Sequence, residues 1–237
     1  MIATPPQLDS TIAKPPLAPR WHTALLVLLM LIVAALGSIM AMRGALVITP
    51  PPGSRIPYVY LPTFIVEWAM AIYVFRIGRP RSALSALIGL RWTTMHRALV
   101  DLGLALLLIV FIDGSETIYA HFSHATANTA VLAILPHTTA EYLAWTVLAT
   151  SVGFCEEVIY RGYLRIQIAV FSRSIAIGVV AQAILFGIAH GEQGWTTALR
   201  FTVYGLAFGV VAVKRRSLLP GIACHVALDL SSGFLHH

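Results

Sequence analysis

The sequence has 237 residues, 58% of them hydrophobic and only 11% charged, with a mean hydropathy of +0.80 and a formal net charge of +6. Soluble domains carry about 25% charged residues, so the composition excludes a soluble fold and requires several apolar segments that each cross a bilayer. The positive charge does not point to nucleic acid, because the basic residues sit in short loops between apolar runs, where they orient a membrane protein.

Residues 1–20 are polar and Pro-rich and read as a flexible lead-in. Trp21–Met42 has the length of one span and exceeds the apolar core of a signal peptide, so it reads as a retained anchor. Pro50, Pro51, Pro52 and Gly53 break the chain, and a second span is expected from Tyr58 to Phe75. Arg76, Arg79, Arg81, Arg91 and Arg97 follow, with a short amphipathic helix between them. A third span covers Ala98–Ile112, and residues 113–137 then contain no Lys or Arg. A long helix starts near Thr139 and runs to about Ile168, followed by spans at Ser174–His190, Trp195–Val213 and Leu218–Phe234. The expectation is an all-α bundle of about seven spans. It divides into the lead-in, N-terminal transmembrane helices over 21–138 and a region over 139–235 that concentrates the polar residues.

With the N-terminus in the cytoplasm, all but three of the 16 basic residues fall on the inner side. The exceptions are Arg43, Arg55 and Arg200. The pattern predicts a cytoplasmic N-terminus and an outer C-terminus.

An ionisable side chain inside a span is costly and usually faces the bundle interior. Glu157 and Arg161 are four apart on a helix and can pair, whereas Glu156 points about 100° away and is left as the free carboxylate. Phe186 and His190 form a second motif. His225 and Asp229 form a third, in which the carboxylate can orient the imidazole and fix its tautomer. Lesser features are a Gly205-x-x-x-Gly209 packing face, Glu67 and Asp101 as partners for arginines at the membrane surface, and Trp21, Trp92 and Trp195 in the interfacial belt. Cys155 and Cys224 do not form a disulfide framework; they precede Glu156 and His225 but read as buried apolar fillers. His236 and His237 are too short a tract to bind a metal.

Together EExxxR, FxxxH and HxxxD resemble the signature of the CAAX prenyl protease type II and bacteriocin-processing family, over roughly residues 139–235. The resemblance implies a multi-span helical protein of a bacterial-type cell membrane that cuts a peptide bond of a substrate in or at the bilayer. Carried over, Glu156 and His190 would activate the hydrolytic water, His225 and Asp229 would stabilise the oxyanion, and Glu157 with Arg161 would brace the site. Asparagine is the commoner last residue of the third motif; Asp229 donates only if protonated and would act chiefly by orienting His225. No cofactor is favoured, although zinc held by Glu156, His190 and His225 is possible. A proton- or cation-coupled transporter, or a non-catalytic scaffold or immunity protein of the same fold, are the competing readings. Oligomeric state is not legible.

A turn near 170–173 would put Glu156 and His190 about 21 and 24 Å from it along antiparallel helices, at one depth. Asp229 and His225 would lie about 18 and 12 Å from the next turn, in the same layer. That layer is deep in the membrane, so either the fourth helix bends near Gly162 or part of 161–173 lies along the interface.

Overall fold

The computed structural model describes residues 15–42, 51, 53–77, 88, 93–123 and 129–235, and among these the only regular structure is helical. The order is α1 (Arg20–Met42), a π-helical turn (Ile56–Tyr60) leading into α2 (Leu61–Ile77), α3 (Met95–Ser123) and the short α4 (Thr129–Ile134). Then come α5 (Thr139–Glu156), a π-helical segment (Glu157–Leu164), α6 (Arg165–Ser172), α7 (Ile175–Ala189), α8 (Trp195–Arg215) and α9 (Leu219–Leu235). The amphipathic helix expected among the arginines, Arg43, Trp92 and the terminal histidines fall outside the described residues.

Among the described residues, five helical stretches are long and apolar enough to cross a membrane: Arg20–Ile39, Ile56–Arg76, Met95–Ser123, Thr139–Ser172 and Trp195–Arg215. The other two expected spans are shorter, with 15 residues in α7 and 17 in α9. At the helical rise these reach about 22 and 25 Å, less than the roughly 30 Å of hydrocarbon.

The third span differs most from expectation. The helix continues through Ser123, well past Ile112, because its last turns find partners on α8. Glu116 forms an ion pair with Arg200 and accepts a hydrogen bond from the Tyr204 hydroxyl at 2.6 Å, while the Arg200 guanidinium lies 4.2 Å over the Tyr119 ring.

Within the bundle α7 packs against α8, α5 against α9 and α2, and α3 against α9. The Gly205 and Gly209 face meets α7: Ala183 lies against Gly205, Gln182 against Gly209, and Gln182 Nε2 donates to the Gly205 carbonyl at 2.8 Å. Asp101 meets an arginine as expected, with Arg215 Nε donating to Oδ1 at 2.7 Å. On the opposite side Glu141 accepts from the backbone N–H groups of Gly53, His137 and Thr138 and pairs with the buried Arg55 at 3.5 Å. Among the described residues no arginine forms an ion pair with Glu67, whose Oε2 atom is buried.

The N-terminal segment is held on the long helical stretch Thr139–Ser172, the fourth span. Gln167 accepts from the Leu17 N–H at 2.6 Å and donates to the Ala18 carbonyl and the Thr23 hydroxyl, both at 2.9 Å. Beside it His22 Nδ1 lies 2.6 Å from the Tyr163 hydroxyl, and its ring stacks on Tyr73 of α2 at 4.0 Å.

Candidate active site

The long helix begins at a reciprocal cap. The Thr138 hydroxyl accepts from the Glu141 N–H, and the Glu141 carboxylate accepts from the Thr138 N–H. It winds as an α-helix to Glu156 and then widens. The Arg165 N–H bonds to the Tyr160 carbonyl five residues back, and every residue from Glu157 to Leu164 is buried. Such π-helical stretches are frequent at functional sites, where the wider turn re-aims side chains that an α-helix would direct elsewhere. Gly162, near which a bend was expected, lies in this segment.

Glu157 pairs with Arg161 at 3.1 Å, with both side chains buried. The Arg161 guanidinium is clamped between aromatic faces, 4.0 Å from the Phe186 centroid and 4.9 Å from that of Phe208. Stacking of this kind suits a delocalised, weakly hydrated cation. Glu156 instead faces α9, where His225 Nε2 lies 3.3 Å from Oε2. His225 Nε2 is also 3.8 Å from Asp229 Oδ2, and its Nδ1 is 3.4 Å from Glu157 Oε1. Both ring nitrogens therefore face carboxylate oxygens, an arrangement that suits a doubly protonated imidazole. The backbone at Asp229 is fixed from α5, where Trp145 Nε1 donates to its carbonyl at 3.0 Å.

His190 caps the C-terminus of α7. Its Nδ1 lies 2.8 Å from the Phe186 carbonyl, which only accepts, so Nδ1 carries a proton, and in a neutral ring Nε2 is then the acceptor. The ring stacks on Phe201 at 4.0 Å. Phe186 is the hub of the site, with its ring 4.7 Å from His190, 6.0 Å from His225 and 4.0 Å from the Arg161 guanidinium. Glu156, Glu157, His225 and Asp229 thus come into direct contact range, and His190 joins them through Phe186. The turn after His190 packs on α1, and burial there raises the Glu192 carboxyl above the usual carboxylate range.

Cys155 and Cys224 are fully buried among apolar side chains, in clusters with Leu26, Ala71 and Ile159 and with Leu108, Ile112 and Phe208 respectively. Among the described residues no group of three His, Cys, Asp or Glu side chains is gathered so that it could hold a metal ion. Glu156, His190 and His225 as they stand do not form a ligand set.

One residue of the site was not placed there by sequence reasoning. Glu67 of α2 lies within electrostatic reach of Glu156, His225 and Asp229. The signal available was its isolation as the one acid in the run LPTFIVEWAMAIYVFRI.

An all-helical membrane bundle that buries an acid–imidazole cluster between three helices defines a polytopic membrane protein with a polar centre inside its span. Residues 137–231, which contain all three motifs, match the family model for Type II CAAX prenyl endopeptidase Rce1-like proteins, and this region of the chain is similar to that family. No curated protein and no solved structure matches the chain.

Proposed function

We propose that this chain is an intramembrane endopeptidase in which Glu156 and His190 activate water against a peptide bond of a CAAX-type or leader-type peptide. The observation that carries the reading is the meeting of Glu156 from the long fourth helix with His225 and Asp229 from α9, in a buried place. Hydrolysis needs a base for water, donors aimed at the developing oxyanion and a proton for the leaving amine. Glu156 takes the proton as the water oxygen bonds to the carbonyl carbon, and returns it to the amine nitrogen as the C–N bond breaks. The Nε2 acceptor of His190 orients the same water. His225 supplies N–H to the oxyanion, with Asp229 holding its ring. Glu157 and Arg161 keep both helices in register. No step is routed through a metal. The chain sits in a cell membrane with its N-terminus inside and its C-terminus outside.

The test is hydrolysis of a panel of lipidated and leader-type peptides in detergent by wild type, Glu156→Gln and His190→Ala. Loss of a general base is expected to lower kcat/KM by about 10²–10⁴-fold in each variant. Cleavage by Glu156→Gln at the wild-type rate would remove Glu156 from the mechanism.

A further inference from the structure

Two polar clamps join α3 to α8. At one end Arg215 Nε donates to Asp101 Oδ1 at 2.7 Å, and a second guanidinium nitrogen lies 2.6 Å from the same oxygen. At the other end the Tyr204 hydroxyl meets Ser115 at 2.9 Å and Glu116 at 2.6 Å, and Glu116 pairs with Arg200. Between the clamps the helices part. They leave a groove of about 450 Å³ whose lining is wholly apolar, including Leu104, Leu107 and Phe111 of α3 and Val203, Ala207 and Val211 of α8. The groove opens one turn from the Asp101–Arg215 clamp and runs to Phe111, ten residues beyond Asp101. At the helical rise that is about 15 Å, the depth of one leaflet of a hydrocarbon core roughly 30 Å thick.

The two ends differ in charge. Beside Asp101 stand Arg97, one turn earlier on the same face of α3, and Lys214, Arg215 and Arg216 at the end of α8. Arg97, Lys214 and Arg216 are exposed, and among the described residues none of them forms an ion pair. The far end instead sets Asp113 and Glu116 against Arg200. An acyl chain gains little from an apolar groove over bulk lipid, so selection must come from the head. Basic clusters between membrane helices hold anionic head groups, whereas a zwitterionic head brings its own cation. We propose that the groove between α3 and α8 binds an anionic phospholipid, with an acyl chain along Leu104–Phe111 and the phosphate on Arg97, Lys214 and Arg216. The site is separate from the acid–imidazole cluster and does not depend on the peptidase reading.

The experiment is native mass spectrometry of the full chain in detergent, titrated with dioleoyl phosphatidylglycerol or with dioleoyl phosphatidylcholine, which share the same chains. Wild type is expected to retain the phosphatidylglycerol at least about tenfold more tightly. A basic residue near an anionic group is worth about 1 kcal/mol, so Lys214→Gln with Arg216→Gln should weaken that binding about 30-fold. Ala207→Phe fills the groove and should weaken both lipids. Equal retention of the two lipids by wild type, or phosphatidylglycerol binding that survives either set of substitutions, overturns the proposal. So does a dimer that Ala207→Phe breaks without any lipid preference, since the groove would then seat a second copy. Should Ala207→Phe fail to fold, the exposed Lys214 and Arg216 substitutions decide alone.

Discussion

Gly153 decides how closely α9 can approach α5. A Cβ there would stand 2.9 Å from the backbone nitrogen of Val226 and 3.2 Å from its Cα. Backbone atoms cannot rotate aside, so Gly153→Ala pushes out the stretch of α9 that carries His225 and Asp229. Overpacking of this kind costs about 1–3 kcal/mol, and a displacement of about 1 Å at a reacting group costs up to about 10²-fold in rate. The variant is expected to lose about 10–10²-fold in kcat/KM with only a modest fall in Tm, read by peptide hydrolysis and thermal unfolding; unchanged kcat/KM would mean that this contact does not set the site. The different surroundings of Glu156 and Glu157 were legible from spacing alone, because Arg161 four residues on selects Glu157. The second contact of Glu157, to His225, was not legible, since it depends on how α9 docks. Glu67 carried a signal as an isolated acid in a span, but no spacing tied it to the other motifs. Gly153 carried none, because the contact that makes it matter lies on another helix.

The long fourth helix connects the site to the rest of the bundle. Hydropathy located it, and the Thr138-x-x-Glu141 pair marks its start. The π-helical winding from Glu157 to Leu164 has no sequence signature at this level; only the depth mismatch and Gly162 hinted at a departure from regular α geometry. Below that segment Gln167 serves Leu17, Ala18 and Thr23 at once, which latches the start of α1 onto the helix that carries Glu156. Replacement by Leu keeps the volume and leaves those buried backbone groups without a partner. An unsatisfied buried polar group costs about 1–3 kcal/mol, so Gln167→Leu is expected to lower Tm by several degrees while kcat well below Tm is retained. An unchanged Tm would show that the latch contributes nothing to stability. The prolonged α3 was missed because residues 113–123 are polar enough to read as a loop. Their helical conformation is tied to partners on α8, Arg200 and Tyr204, which the sequence does not place.

Over the whole molecule, composition settled the class, and the order of apolar runs located every span-like helix. The charge pattern also gains a physical account. Of the three basic residues that broke the inside rule, Arg55 is buried against Glu141 and Arg200 is paired with Glu116. Both are thus held by acidic partners within the bundle, and Arg43 lies outside the described residues. Length was less legible: α7 and α9 fall short of the bilayer core, and these two helices bring His190, His225 and Asp229 to the site. A short helix ends its polar residues deep in the membrane, where a bundle interior must receive them.

The central claim is that Glu156 and His225, from different helices, work as one unit. A double-mutant cycle on peptide hydrolysis measures this directly, with Glu156→Gln, His225→Ala and the double variant compared with wild type. Residues that act together are strongly non-additive, so each single variant is expected to lose most of the rate and the double to lose little more. Losses that multiply, or a single variant that cleaves like wild type, would contradict a shared site.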